Sequence, residues 1–179
     1  MLRRRPIHIS PDEARKALDY DPETGVMVWR DLPEFRVSCA KGGRAKVVGK
    51  VAGTVTAHGY RKIKICGRFI FAHRLAWLIV HGEDASGEID HINGDRLDNR
   101  IQNLRIASHA QNAMNGRRRS TNTAGLKGVY VCKPTGRYIA QIVVDGANHY
   151  LGTHDTAEAA HAAYVAAAER LHGEFARAA

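Results

Sequence analysis

The stretch from residue 84 to residue 116 constrains the fold of this chain more than any other part of the sequence. A short apolar run carries Asp90-His91, a loop rich in asparagine, glycine and aspartate follows, and a second short run carries Asn103. Turn residues between two such runs are typical of a hairpin. Ser108 with a glutamine three positions later matches a capping box, the pattern that begins a helix. The stretch therefore predicts strand, loop, strand and helix within one supersecondary unit.

Side chains in this stretch have the chemistry that phosphodiester hydrolysis requires. The reaction needs an activated water, stabilised charge at the phosphate and assistance to the leaving oxygen, and a divalent cation can supply the last two. His91 can activate the water, because the ordinary pKa of histidine is about 6.5. The Asp90 carboxylate and the Asn112 carbonyl are hard oxygen ligands that suit Mg²⁺ or Mn²⁺. We therefore expect one divalent ion per site.

One geometric condition must hold for this site to form. Neighbouring residues on a regular strand point to opposite faces, so Asp90 and His91 can share one phosphate only where the strand bends or ends. Asn93-Gly94 follows directly, and this dipeptide is typical of a turn. We therefore expect the strand to end near His91.

A longer pattern beginning at Asp90, Asp-His-x-x-Gly-Asp-x-x-x-Asn-Arg-x-x-Asn-Leu-Arg, carries a family resemblance. Here the chain resembles the HNH endonucleases, in particular the phage and intron-encoded homing type built on the ββα-metal motif. The resemblance implies that His91 is the general base and that Asp90 and Asn112 hold the metal. It implies that Asn103 braces the hairpin, so His91 and Asn103 are the predicted catalytic residues. Asn103 and Asn112 follow Asp90 by 13 and 22 residues, which fits the family arrangement.

Nearby positions add one alternative and two minor roles. Many HNH nucleases end the motif in histidine, and His109 lies three residues before Asn112 on the same face of the predicted helix. The spacing favours Asn112 as the ligand, in which case His109 binds phosphate or has no role. Arg100 and Asn99 also match family positions, and we expect a phosphate contact from Arg100 and a structural role for Asn99.

The charge distribution indicates a polyanionic partner. The chain has 27 Lys and Arg against 18 Asp and Glu, a net charge of +9. Residues 1–83 hold 16 basic and 8 acidic residues, whereas residues 84–116 hold 3 and 5. A locally acidic centre suits a cation site, and basic flanks suit double-stranded DNA. The basic side chains expected to contact DNA outside the central motif are Arg61, Lys62, Lys64, Arg117, Arg118 and Arg119.

Cysteine usage and hydropathy bear on the compartment. The three cysteines, Cys39, Cys66 and Cys132, form no Cys-x-x-Cys pair, so a structural zinc site of the usual spacing is not expected. Their odd number suits a reducing cytoplasm. No apolar run reaches transmembrane length, and the basic N-terminus lacks the apolar stretch of a secretory signal. We therefore expect no membrane partner and a cytoplasmic location, in a bacterial or phage-infected host cell.

The N-terminal region reads as strands with helices. Ser10-Pro11-Asp12-Glu13 predicts a capped helix whose apolar stripe extends to Leu18. Turn residues 21–25 predict a hairpin ending in the strand 26–29. Further strands are expected at 59–65 and 69–71, and a core helix at 73–81 that ends at Gly82.

The C-terminal region has a compact pattern of its own. Three strands are predicted at 127–132, 137–144 and 148–151, joined by turns at 134–136 and 145–146. Asp155-Thr156-Ala157-Glu158 resembles a capping box that opens a helix ending at Gly173. Alternation assigns a set of side chains to the helix-packed face of this sheet: Val129, Tyr138, Ala140, Ile142 and Leu151.

Residues 125–175 resemble the APETALA2-type DNA-binding domain of plant transcription factors and of many phage endonucleases. The matching pieces include Gly128-Val129-Tyr130, Tyr150-Leu151-Gly152-Thr153 and Gly173-Glu174-Phe175-Ala176. The resemblance implies a three-stranded sheet that lies in the major groove. The outward side chains predicted to contact DNA are Tyr130, Arg137, Gln141, Asn148 and Tyr150.

Together these patterns predict an α+β fold of four parts. They are a basic β-rich region with helices at 1–83, the ββα-metal HNH motif at 84–116, a basic linker at 117–124, and an APETALA2-like sheet packed on one helix at 125–179. The predicted function is a metal-dependent, site-specific, homing-type nicking DNA endonuclease. A monomer is favoured, since one site cuts one strand. One alternative is a catalytically silent DNA-binding regulator with the nuclease fold, against which the intact motif argues. The other is an RNA-processing nuclease, which fits the charge but has little specific support in the sequence.

Overall fold

The structure, a computed structural model, describes residues 9–31, 48–116 and 121–177. Contacts divide the chain into two compact units, Met1–Ile106 and Ala107–Ala179. Helices α1 to α4 in the described residues are Pro11–Ala17, Ala72–His81, His109–Met114 and Ala157–His172. Strands β1 to β10 are Leu18–Tyr20, Met27–Trp29, Thr54–Val55, Arg61–Ile65, Arg68–Phe71, Glu88–His91, Leu104–Ala107, Val129–Val131, Tyr138–Val144 and Ala147–His154. The predicted α+β class is confirmed.

The first unit begins with the predicted capped helix. The Ser10 hydroxyl accepts from the Glu13 amide at 3.1 Å, and the Glu13 carboxylate accepts from the Ser10 amide at 2.7 Å. Helix α1 ends earlier than its apolar stripe suggests, because Leu18 takes extended backbone and begins β1. Strand β1 pairs antiparallel with β2, which gives the hairpin expected around residues 21–25.

A second sheet and a helix complete the first core. Strands β3, β4 and β5 form an antiparallel sheet in that order, and α2 follows β5 directly. Helix α2 ends at Gly82, as predicted, where a left-handed φ of 75° lets the Gly82 amide donate to the Leu78 carbonyl. Leu18, Met27, Ile63 and Leu75 are fully buried in the core that joins these elements.

The second unit contains a three-stranded antiparallel sheet of order β10-β9-β8 and the long helix α4. Val129, Ala140 and Ile142 are buried in its core, and Tyr138 and Leu151 pack against them, so the predicted helix-facing set is confirmed.

Three further features of the fold are the start of α4, the state of the cysteines and the apolarity of the helices. Helix α4 begins one residue later than expected: Thr156 is the N-cap and accepts from the Ala159 amide, so Asp155 and Glu158 form no capping box. Cys66 and Cys132 are free thiols, and Cys39 lies outside the described residues. None of the described helices has the length and apolarity needed to cross a membrane.

Candidate active site

Strands β6 and β7 pair, and the candidate site lies where β6 ends. The His91 carbonyl accepts from the Gly94 amide at 2.7 Å, and Gly94 has a left-handed φ of 66°. The chain therefore turns immediately after His91. Asp90 and His91 are both buried, at 5 % and 4 % exposure, although they are neighbours on one strand. The strand therefore ends at His91, as predicted, while a shared site for the two side chains stays a prediction.

Asn103 holds the loop between the two strands together. Its amide oxygen accepts from the Asn93 backbone at 3.0 Å, and its amide nitrogen donates to the Asn93 side chain at 3.0 Å and to the Asp98 carbonyl at 2.8 Å. The Ile92 amide also donates to the Asn103 carbonyl at 2.9 Å. One buried side chain thus fixes both ends of the loop that follows His91.

The imidazole of His91 faces the side chain of Asn99, which sequence reasoning assigned only a structural role. Asn99 is 1 % exposed, and its Oδ1 lies 3.3 Å from Nε2 of His91. The Asn99 amide nitrogen donates to the Leu97 carbonyl at 3.0 Å, which orients the amide oxygen toward the ring. This contact favours the neutral tautomer of His91 with the proton on Nε2 and the basic lone pair on Nδ1.

The β1–β2 hairpin supports Asn99 from behind. The Tyr20 hydroxyl donates to the Asn99 carbonyl at 2.8 Å, and burial raises the pKa of Tyr20 to about 12. Gly25 has a φ of +72°, and a Cβ there would lie 2.4 Å from the Arg100 nitrogen and 2.6 Å from the Asn99 carbonyl carbon. Only glycine allows this close approach, so the hairpin turn packs directly on the segment that positions Asn99.

Aromatic rings enclose the other side of His91. The His73 ring meets it edge-on at 5.2 Å between centroids, and the Tyr60 ring lies at 6.1 Å. Burial, with the nearby His91 and Arg74, lowers the pKa of His73 to about 3. Burial also lowers the pKa of His91, although the Asn99 hydrogen bond and the Asp90 carboxylate act in the opposite direction. Both imidazoles are therefore neutral near neutral pH, as a base must be.

Arg105, for which no role was predicted, is an ion-pair partner of Asp90. Its Nε and Nη2 lie 3.0 and 2.9 Å from Oδ2 of Asp90. The guanidinium balances a carboxylate that would otherwise be a costly buried charge. The only sequence signal was the position of Arg105 two residues after Asn103, which places it opposite β6 in the paired strand.

Arg100, the predicted phosphate contact, forms a two-point ion pair with Asp98. The distances are 2.8 Å from Nε to Oδ1 and 2.6 Å from Nη2 to Oδ2. Hydrogen bonding to Arg100 lowers the pKa of Asp98 to about 2. A phosphate contact from Arg100 stays a prediction.

The basic residues of β4 divide between two faces. Lys62 and Lys64 point to the outer face, where they pair with Phe71 and Phe69 of β5. Arg61 points the other way, with its guanidinium 3.4 Å from the Ala52 carbonyl oxygen. Arg61 therefore lies on the opposite face of β4 from Lys62 and Lys64, because neighbouring side chains alternate along a strand, and DNA contacts of all three stay predictions.

The outer face of the second unit has the composition that alternation predicts. Gln141 pairs with Tyr150 and Val143 with Asn148, so these residues share a face, with Tyr130 on the neighbouring strand. The fifth residue of the predicted set is engaged elsewhere in the unit: Arg137 forms an ion pair with Asp155 at 2.9 Å. Contacts of this face with DNA stay predictions.

Two of the remaining predicted residues belong to α3 of the second unit. Asn112 and His109 are on this short helix, which begins with the predicted capping box of Ser108 and Gln111. Arg117, Arg118 and Arg119 lie outside the described residues.

The metal ligands expected from the sequence are donor types that suit a hard divalent cation. Among residues 9–31, 48–116 and 121–177, no three His, Cys, Asp or Glu side chains come together as a metal site. The expected donors are of another kind, since they are one carboxylate, Asp90, and one amide oxygen, Asn112. Such oxygen donors suit Mg²⁺, which keeps several of its own waters.

Comparison with known proteins agrees with this geometry. A sequence profile of the family described as HNH endonuclease matches residues 71–114, which include α2, both strands of the hairpin and α3. The fold and the site therefore define an HNH endonuclease domain. The chain is 33 % identical to Protein 3.8 of Escherichia phage T7 over 106 residues, which are 59 % of this chain and 87 % of that protein. Residues 71–114 of the chain therefore form an HNH endonuclease domain.

A second relative comes from a giant virus. The uncharacterized HNH endonuclease L560 of Acanthamoeba polyphaga mimivirus is 34 % identical over 110 residues, 61 % of this chain. The chain spans about half the length of that relative, 54 %. No solved structure matches the chain.

Proposed function

We propose that this protein is a metal-dependent endonuclease that nicks double-stranded DNA at specific sites. One observation carries the proposal: Asp90 and His91 are both buried where β6 ends, and Oδ1 of Asn99 lies 3.3 Å from Nε2 of His91, which favours Nδ1 as the basic nitrogen. A carboxylate next to an oriented neutral imidazole is the arrangement that general-base activation of water beside a cation requires.

In the proposed reaction, Nδ1 of His91 takes a proton from water as the water oxygen bonds to phosphorus. The bond from phosphorus to the leaving oxygen breaks, and that oxygen takes up a proton from solvent water, while His91 later releases its proton to solvent. Asp90 and Asn112 would hold one Mg²⁺ or Mn²⁺, which stabilises the phosphate charge and the leaving oxygen when bound. We assign Asn112 as a ligand, in preference to His109, on its sequence spacing.

Two further residues are positioning residues, which hold His91 and Asp90 in place. Asn103 fixes the loop after His91, and Arg105 holds the Asp90 carboxylate in place. Neither needs to touch the reacting atoms. Their loss is expected to misplace His91 and Asp90 respectively.

The proposed DNA contacts lie on both units. In the first unit they are Arg61, Lys62, Lys64 and Arg100. In the second they are Arg117, Arg118, Arg119, Tyr130, Arg137, Gln141, Asn148 and Tyr150, the last five on an APETALA2-like module. We propose a homing-type enzyme of the phage-infected bacterial cytoplasm that acts as a monomer, because one site hydrolyses one strand.

Nicking of supercoiled plasmid tests the proposal. The protein is incubated with plasmid and Mg²⁺ or Mn²⁺, beside His91→Ala and a matched His149→Ala variant, since His149 is exposed on β10. Wild type and His149→Ala are expected to nick, and His91→Ala to bind the plasmid without nicking. Equal nicking by all three proteins would remove His91 as the base. Binding without nicking by the wild type, with either metal, would instead support a silent DNA-binding regulator.

A further inference from the structure

The outer face of β4 and β5 carries exposed aromatic rings among cations. Phe69 is 62 % exposed and Phe71 is 40 % exposed. The ammonium of Lys62 lies 4.3 Å from the centre of the Phe69 ring, and that of Lys64 lies 5.8 Å away. The three strands of this sheet contain no acidic residue. The face therefore combines exposed aromatic surface with positive charge close to it.

This face continues to the candidate base through a series of rings. Phe71 stacks on His73, with the centroids 5.5 Å apart and the planes within 10° of parallel. His73 in turn meets His91 at 5.2 Å. Tyr60 lies beside the series, 5.4 Å from Phe71, and carries the Arg96 guanidinium 4.8 Å above its ring. We call this set of rings the aromatic track: exposed Phe69 and Phe71 lie on one face of β5, and ring contacts continue from Phe71 through His73 to buried His91.

We propose that this aromatic track binds an unpaired DNA strand, so that the preferred substrate has single-stranded nucleotides next to the bond that is cut. Phenylalanine has no hydrogen-bonding group with which to read base edges in a duplex groove, but its ring can stack on a base that has no partner. The flanking ammonium groups supply contacts to the phosphates of the same strand. A second copy of this face would bring the lysines of both copies together, which disfavours self-association. The inference rests on the proposed function because it takes DNA as the substrate.

Fluorescence anisotropy without metal tests the binding. The probes are a short labelled single-stranded oligonucleotide and its blunt duplex, at matched salt. Phe69→Ala is expected to weaken single-strand binding about tenfold, the usual effect of one lost base stack, and to change duplex binding less than about twofold. Phe69→Tyr should restore single-strand binding. Lys64→Ala should weaken both and reduce the salt dependence by about one phosphate contact.

A matched control separates the track from general loss of apolar surface. Val55 is 51 % exposed on the same sheet but pairs with Arg61, on the other face. Val55→Ala should leave both affinities unchanged. Equal weakening of single-strand and duplex binding by Phe69→Ala, unchanged single-strand binding, or failure of Phe69→Tyr to restore it would each overturn the proposal.

A cleavage comparison separates this inference from the nuclease function. With Mg²⁺ or Mn²⁺, a forked duplex with an unpaired arm should be cut faster than the blunt duplex. Equal rates on both would overturn the unpaired-strand inference while the nuclease function stands. If no DNA is cut but Phe69→Ala still weakens single-strand binding selectively, the binding inference stands and the proposed hydrolysis fails.

Discussion

The two units differ in what they bury. Seven polar or charged residues are buried within the described parts of the chain, and five of them, His73, Asp90, His91, Asn99 and Asn103, are in the first unit around one hairpin end. The second unit packs α4 on its sheet mainly through small and apolar side chains. Buried polar groups reduce stability unless each has a partner. The first arrangement is therefore one that stability alone does not require, whereas the second is ordinary packing.

The largest expected effect tests whether the buried polar groups serve chemistry. Asn99→Leu removes the acceptor for Nε2 of His91 and the donor to the Leu97 carbonyl, whereas Asn99→Asp removes only the donor. A general base contributes about 10²–10⁴-fold, so Asn99→Leu should slow single-turnover nicking about 10³-fold, with plasmid binding unchanged. Asn99→Asp should stay within about tenfold of wild type.

The nitrogen chemical shifts of His91 give an independent readout. They should report a proton on Nε2 in the wild type and a mixture of tautomers in Asn99→Leu. If both variants lose the same activity and the tautomer does not change, Asn99 is structural only.

Much of this hairpin could be predicted because its signals are local. The Asp90-His91 step, the turn at Gly94 and the Ser108 cap each depend on a few neighbouring residues. The contact of Asn99 with His91 could not, because it depends on a hairpin almost 80 residues earlier, where Tyr20 and Gly25 meet the Asn99 backbone. No local spacing pattern in the sequence predicts the contact between that hairpin and the Asn99 segment.

The directions in which side chains point could be predicted from the sequence only in part. Alternation gave the buried face of the C-terminal sheet correctly, since each strand there is half buried. The same rule would have separated Arg61 from Lys62 and Lys64, but charge similarity grouped them. Arg105 was missed because a cation near a proposed metal ligand has no separate sequence pattern.

Because the second unit is held by close packing, a side chain that does not fit should lower its stability. At Gly128 a Cβ would lie 2.0 Å from the Tyr164 ring, and the φ is +75°. Gly128→Ala should destabilise this unit by about 3 kcal/mol, from overpacking together with backbone strain. Gly136→Ala is the matched control, because its φ is +70° but nothing lies within 4 Å. It should cost only about 1 kcal/mol.

Hydrogen exchange distinguishes the two units in that experiment. Amides of β9 should lose protection in Gly128→Ala, while those of β4 keep theirs. Loss of protection in both strands would show that the units do not unfold separately, and the contrast between them would fail.

A smaller effect concerns the pH dependence of stability. The pKa of His73 is about 3 in the folded chain against 6.5 for a free histidine, mainly because the ring is buried. The unfolded state therefore takes up a proton that the folded state does not, and stability falls as pH drops below about 6.5. Between pH 6.5 and 5 this should remove about 2 kcal/mol. His73→Phe should abolish that part of the decline.

Urea unfolding at several pH values, followed by tryptophan fluorescence, measures the stability of the first unit. Trp29 and Trp77 are the only tryptophans, and both lie in that unit. His149→Phe, at an exposed position of β10, is the control and should keep the wild-type pH dependence. An unchanged acid decline in His73→Phe would assign it to other groups.

The last prediction has the smallest expected effect on stability, and it tests whether the outer face of the second unit binds DNA. The Arg137–Asp155 pair is exposed, with Asp155 at 85 %, so Arg137→Ala and Asp155→Ala should each change stability by less than about 0.5 kcal/mol. The two variants break the same ion pair, but only the first removes a cation. If Arg137 contacts phosphate, Arg137→Ala should weaken plasmid binding and reduce the salt slope by about one, whereas Asp155→Ala should not weaken it. If both variants bind plasmid as tightly as the wild type, Arg137 serves the ion pair alone.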